Sequence, residues 1–321
     1  METVLVARHA MATRFEVLLQ GGNPVSLRSA GESALDEVER LEAQLSLYRP
    51  TSEIALVNRH AAERPVRITP PVFRLLQQAG ELSRLTGGAF DITVAPLVRC
   101  WGFMGGSGAM PDPAALAEAR ACVGMHLVEL DPASFTVRFK RQGVMLDLGA
   151  IGKGYAIDIA AECLIEAGVT SAFLHGGTSS IYAIGVPPDA PSWKAGIPRP
   201  AGFNPAALDI DDRSVLTMVP LSNESLSISA GWGKSFDDGG KKYGHVLDPR
   251  LGEPVQRGLL AAVVLPSATE TDALSTALLT LGAEGFDRVC GLRSGTRALL
   301  LSSAGDSGRI ECLTRGISVA G

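Results

Sequence analysis

The sequence predicts an α+β fold, with runs of neighbouring strands broken by single helices. Strand-type segments come in adjacent groups, at residues 4–7 and 14–19 and again at 126–130, 135–140 and 144–148. Helical periodicity is confined to isolated stretches, and the regular strand–helix alternation of a doubly wound parallel sheet is missing. The composition sustains a large core, because 46% of the 321 residues are hydrophobic and only 20% are charged. That length suits one large domain or two units. The expectation is a single domain over 1–321, with room for two subdomains meeting near 150–190. A hairpin followed by a helix occurs in both halves, which permits an internal duplication, although no sequence repeat supports one.

Each element has a local reason. Residues 4–7 and 14–19 pair as one hairpin. Between 33 and 45, Ala34, Leu35, Val38, Leu41 and Leu45 share a helical face. Pro70 and Pro71 open a second helix with Val72, Leu75, Leu76, Ala79 and Leu82 inward, and Gly87–Gly88 stop it. Asp112 as N-cap and Pro113 after it start a third helix, which ends at Gly124. Asp131–Pro132 is a turn between strands. A fourth helix follows Gly154 and runs to Gly168. Strands are predicted at 171–175, 180–186, 225–229, 243–248 and 259–265. Helices are predicted at 272–282 and 284–291, and strands at 297–302 and 309–313 close the chain. Residues 187–220, rich in proline and aspartate, read as irregular with strands of their own.

Several function classes fall away on composition. The net charge is −5, from 29 basic and 34 acidic residues, and no basic block stands out, so no nucleic-acid surface is expected. Aromatics at 5% argue against a stacking platform for single strands. The five cysteines are far apart with no CxxC pair, which fits neither a disulfide framework nor a zinc site; a reducing compartment and small apolar thiols are expected. The longest apolar run, Leu259 to Leu265, stops at Pro266 and is too short to span a membrane. The run from Val4 to Ala7 is too short for a signal. The expectation is a cytoplasmic protein, with an exported form whose signal has been removed left open.

Some motifs admit both a chemical and a structural reading. Gly233-Lys234-Ser235 looks like the end of a Walker A loop, but Ile228 stands where that loop needs glycine. Gly149, Gly152 and Gly154 lie between a predicted strand and a helix, so their N–H groups either face an anion or merely make a tight turn. Lys153 in that turn suits a diphosphate. Asp272 and Thr276, four apart on a helix, present two oxygens on one face, as a hard cation requires; alternatively Thr271 or Asp272 caps the helix. His245 at a strand start is a general base or a structural histidine. Asp248-Pro249 with Gly252 is a turn, and Asp91 after Gly87-Gly88-Ala89-Phe90 binds a ligand or caps its own loop.

Six segments in order, HAMATRF, LSLYRPTSEIALVN, TGGAFDITVAPLVRCWGF, LDLGAIGKGYAID, YGHVLDPRLGEP and TDALSTALLTLG, resemble the ApbE family of FAD:protein FMN transferases. The resemblance runs from about residue 9 to 285. It implies an α+β fold and a reaction in which FAD is cleaved across its diphosphate with Mg²⁺. FMN then passes through a phosphoester to a threonine of a target protein, and AMP leaves. It further implies flavin contacts at Met11, Tyr48, Ala89, Phe90, Asp91, Asp147 and Lys153. The implied metal ligands are Asp272, Thr276 and the backbone carbonyl of Ala150, with His245 near the reacting phosphate.

The chain departs from the family pattern at Ala12, where glycine is usual, and at Thr178, where many members have aspartate. Ile228 and Ala230 interrupt a usual Thr-Ser-Gly run. Alternatives to transfer are a Mg²⁺-dependent FAD pyrophosphatase giving FMN and AMP, or a non-catalytic FAD-binding protein. Retention of Lys153, Asp272, Thr276 and His245 argues against pure binding. No nicotinamide motif supports a redox enzyme. Family acceptors carry a Ser-Gly-Ala-Thr-type motif, and this chain has none, so self-flavinylation at such a motif is not expected.

Overall fold

The computed structural model describes residues 2–200, 215–303 and 310–319. In chain order it runs β1 (Thr3–Ala10), β2 (Thr13–Gln20), α1 (Pro24–Leu45), α2 (Glu53–His60), β3 (Val66–Arg67), α3 (Pro70–Thr86), α4 (Ala95–Cys100) and α5 (Pro113–Arg120). Next come β4 (Val128–Asp131), β5 (Thr136–Phe139), α6 (Gly152–Glu166), β6 (Ala172–Gly176), β7 (Ser180–Ile184), β8 (Trp193–Pro198) and β9 (Val215–Leu221). The remainder is β10 (Glu224–Ala230), β11 (Ser235–Asp238), β12 (Lys241–Gly244), β13 (Leu247–Asp248), β14 (Glu253–Pro254), β15 (Gly258–Leu265), α7 (Ala268–Leu281), α8 (Phe286–Gly291), β16 (Arg297–Ser303) and β17 (Ile310–Arg315).

Eight strands make one sheet in the order β1-β2-β6-β7-β10-β15-β16-β17, with every neighbouring pair antiparallel. This is the predicted α+β class. Both faces of the sheet are covered. Helices α1, α6 and α7 pack on one side, with α6 between the other two and α7 lying on β10 and β15. On the other side the β8–β9 pair lays Trp193, Ile197, Leu216 and Leu221 against Leu226, Leu260 and Leu299. That explains the unbroken apolar run of β15. Successive strand residues point to opposite faces, so Leu260, Ala262 and Val264 meet the β8–β9 pair while Ala261, Val263 and Leu265 meet the helices. No helix among the described residues is long and apolar enough to cross a membrane.

The boundaries differ from expectation in informative places. Helix α1 begins nine residues before the predicted 33, at Pro24, where Asn23 accepts hydrogen bonds from the N–H groups of Val25 and Ser26. Its early turns contain Gly31, where a Cβ would lie 2.6 Å from Val6 Cγ2, so helix and strand touch there. The segment 144–148 is not a strand. It is an extended span tied down by Asn58, whose side chain bonds both the N–H and the carbonyl of Leu146. Helices α2 and α4 were not predicted. The strand predicted at 243–248 is two short strands, β12 and β13, with His245 in the break. The irregular stretch does contain strands, β8 and β9, while 201–214 lie outside the described residues, as does the first residue of the strand predicted from 309. The cysteines are unpaired, but Cys312 on the edge strand β17 is exposed rather than a buried apolar group.

Candidate active site

Helix α7 opens at Ala268, four residues before the predicted start, because Ser267 is its N-cap and accepts the Glu270 N–H at 3.2 Å. Asp272 is therefore in the second turn and has no capping role. Thr271 turns inward to Ser225 and Ser227 of β10. This overturns the capping alternative and leaves Asp272 buried, at 4% exposure, with its carboxylate facing a recess.

The start of α6 meets it there. Gly154 donates its N–H to Asp272 Oδ2 at 2.9 Å. A Cβ on Gly154 would sit 2.1 Å from the Ala268 carbonyl, so only glycine permits the two helices to approach this closely. Because that N–H goes to Asp272, the Ala150 carbonyl one turn back lacks its helical partner among the described residues. Three more N–H groups of the turn are also spent internally: Gly149 on Asp147 Oδ1, and Ile151 and Gly152 on the Leu148 carbonyl. The glycine turn is thus a packing device first. Its cationic contribution is Lys153, whose Nζ lies 3.9 Å from Asp272 Oδ1.

A second clamp fixes the same two helices. Asp158 of α6 accepts from Ala268 N at 2.7 Å, Thr269 N at 2.8 Å, Thr269 Oγ1 at 2.6 Å and Ser267 Oγ at 3.0 Å. Asp272 and Lys153 are thereby held in register. One turn further along the same face of α7, Thr276 Oγ1 bonds Ser229 Oγ of β10 at 3.0 Å.

These groups line a cavity of about 770 Å³. All the site residues expected from the sequence border it except Met11: Tyr48, Ala89, Phe90, Asp91, Asp147, Ala150, Lys153, His245, Asp272 and Thr276. Met11 lies beside it in the β1–β2 turn, and its neighbour Ala12 supplies the wall. Asp91 is fully engaged by its own surroundings, accepting from Ser83 Oγ, Met125 N, and Thr93 N and Oγ1. Its bonds brace the loop that presents Ala89 and Phe90. Tyr48 is 66% exposed at the rim. Partial loss of solvent around its hydroxyl raises its pKa, as does the nearby charge of Asp147. Asp147 is itself pushed above the usual carboxylate range by burial, against the pull of the Gly149 N–H and of Lys153.

His245 is held by one carbonyl. Its backbone N–H and its Nδ1 both reach Lys234 O, at 3.1 and 3.2 Å. A carbonyl only accepts, so Nδ1 carries the proton and Nε2 keeps a lone pair. Its protein-walled setting lowers the imidazole pKa. The Lys234 carbonyl opposes this, and the ammonium groups of Lys234 and Lys153 add to it.

The sequence reading missed part of the wall. Val98 and Phe103 come from α4 and its exit, a helix too short for periodicity to reveal. Trp232 and Lys234 also line the cavity. The Walker-like Gly233-Lys234 is no phosphate loop, yet its lysine faces the site, and the link to His245 was the missing signal.

The oxygen donors fit a hard cation. Asp272 Oδ1 receives no hydrogen bond among the described residues, and the Ala150 carbonyl and Thr276 hydroxyl stand nearby in the same cavity wall. No cluster of three or more His, Cys, Asp or Glu that could hold a metal ion exists among the described residues.

Residues 11–300 match the ApbE family. A Treponema pallidum protein named FAD:protein FMN transferase is 31% identical over 290 residues, covering 83% of this chain and 76% of its own. One of the same name from Haemophilus influenzae is 30% identical over 269 residues, covering 80% and 75%. The fold superposes on the crystal structure of an ApbE protein from Thermotoga maritima with a TM-score of 0.83 at 26% identity, over 97% of this chain and 96% of the other. For the apo flavinyl transferase ApbE of Pseudomonas stutzeri the TM-score is 0.81 at 26% identity, over 98% and 95%.

Proposed function

The chain belongs to the ApbE family, and from that premise we propose that it is an FAD:protein FMN transferase. It moves FMN from FAD to a threonine hydroxyl of an acceptor protein carrying a Ser-Gly-Ala-Thr-type motif, and AMP leaves. The observation that supports this best is the meeting of Lys153, Asp272, Thr276 and His245 in one cavity with Tyr48, Ala89 and Phe90.

The roles follow from the chemistry of each group. The exposed ring of Tyr48 offers a face to the flavin, and Ala89 and Phe90 border it through a loop that Asp91 holds rigid. Lys153 sets its charge against the diphosphate. Mg²⁺, held by Asp272, Thr276 and the Ala150 carbonyl, would offset further charge in the transition state. His245 Nε2 takes the proton of the attacking threonine, a weak nucleophile while protonated. The phosphoester forms at the FMN-side phosphorus as the bond to the bridging oxygen breaks, and that oxygen departs with AMP.

Because the cavity is open to solvent at Tyr48 and His245, water is a competing acceptor, and its product is free FMN. Incubation with FAD, Mg²⁺ and a peptide bearing the motif separates the outcomes by mass spectrometry. FMN on the peptide threonine supports transfer. FMN and AMP in solution with an unmodified peptide would make the protein a pyrophosphatase, and intact FAD would make it a binding protein.

A further inference from the structure

We propose that Thr178 is itself an FMN acceptor, so that the protein modifies its own chain once when FAD is present and no acceptor protein competes. This rests on the transferase reading above and adds a substrate to it. Thr178 is exposed on the turn between β6 and β7 and lines the cavity that holds Lys153, Asp272 and His245. Its hydroxyl has no hydrogen-bond partner among the described residues.

The turn is fastened at the cation end of the cavity. The Ser179 carbonyl accepts the Ile228 N–H at 2.7 Å, and the next residue of β10, Ser229, bonds Thr276 Oγ1 at 3.0 Å. On the other side, Gly177 N–H is held by the Arg14 carbonyl at 2.9 Å. Backbone bonds therefore pin the residues on both sides of Thr178, while its side chain keeps its rotational freedom at the cavity wall. A neutral hydroxyl there can approach a diphosphate, which a carboxylate at the same place would repel. A nucleophile built into the wall also needs no separate binding step, so even a modest geometry competes with dilute acceptors.

The step balances without any redox change. Thr178 Oγ1 bonds to the FMN-side phosphorus of FAD, the bond from that phosphorus to the bridging oxygen breaks, and AMP leaves with that oxygen. The hydroxyl proton passes to His245 Nε2. The attached FMN then blocks the cavity, which limits each chain to one event.

The test is intact-mass measurement of the purified protein after incubation with FAD and Mg²⁺, without acceptor. The expected result is a gain of one FMN less one water, matched by one AMP per modified chain, with fragmentation placing the adduct on Thr178. Thr178→Ser should keep the adduct, and Thr178→Val should lose it at an unchanged melting temperature. An unmodified chain in a preparation that labels an added acceptor peptide would overturn the inference alone. So would an adduct on another residue, or one that survives in Thr178→Val. If neither chain nor peptide is labelled, the transferase reading falls and takes this inference with it.

Discussion

His245 shows how one backbone carbonyl can set a side chain's chemistry. With Nδ1 committed to Lys234 O, the free lone pair is on Nε2, and the depressed pKa keeps the ring neutral. The sign matters for pH dependence. A histidine whose pKa lies below its ordinary value remains a competent base until the pH drops through that lower value. The acid limb of kcat/KM, which reports the free enzyme, should therefore lie below about pH 6.5, and it should vanish in His245→Asn. That variant should keep FAD affinity and melting temperature while kcat drops by about 10² to 10⁴; normal turnover would make the histidine structural. Ala12 offers a prediction of another kind. Met11 and Ala12 both have left-handed φ, 50° and 58°, in the two-residue turn joining β1 and β2. A left-handed L-residue costs about 1–2 kcal/mol, and glycine's extra unfolded-state entropy gives back about 0.4–1 kcal/mol. Ala12→Gly should thus stabilise the fold by about 0.5–1 kcal/mol in urea unfolding. The residue types of the site were legible as motifs. Asp272's freedom from capping went unread, because α7 begins at Ala268 and not at the expected 272.

Helices α6 and α7 form the element that brings Lys153, Asp272 and Thr276 to the cavity wall. Asp158 and the Gly154–Asp272 bond hold their N-termini together, but the two aspartates act differently. Asp158→Ala strips acceptors from two first-turn N–H groups and two hydroxyls of α7, a loss of about 1–3 kcal/mol. Asp272→Ala removes one backbone acceptor and the carboxylate facing the cavity, so it should stay folded while turnover is abolished. Melting curves and single-turnover assays on both variants give the comparison; equal losses of stability with equal residual activity would contradict it. At this scale the sequence was legible where signals were strong, as in α3 with its two prolines and closing glycines. The start of α7 was encoded but not read: Ser267-Ala268-Thr269-Glu270 is a capping-box pattern, yet the helix is predicted only from 272. Helix α4 spans only Ala95–Cys100, less than two turns, and its wall residues Val98 and Phe103 could not be inferred from periodicity.

Across the whole molecule, the predicted class follows from neighbouring strands pairing with each other. The order of the sheet and the covering of its second face by β8–β9 were not legible, since long-range pairing leaves no local pattern in the chain. The cavity of about 770 Å³ draws its walls from residues as far apart in the chain as Ala12 and Thr276, and the proposed function requires it to hold both halves of FAD. FAD should accordingly bind more tightly than FMN in fluorescence titrations with Mg²⁺, whereas equal affinities would mean that the adenylate half is not read. The sheet order has a consequence for synthesis. Strands join from the β1 edge towards the β17 edge in the order in which the ribosome makes them. The cavity wall that carries Tyr48, Ala89 and Phe90 can therefore form early on a nascent chain, whereas Asp272 and Thr276 join it only after α7 has left the exit tunnel. On the reading proposed above, a polypeptide that ends before α7 would lack Asp272 and Thr276 and should not cleave FAD.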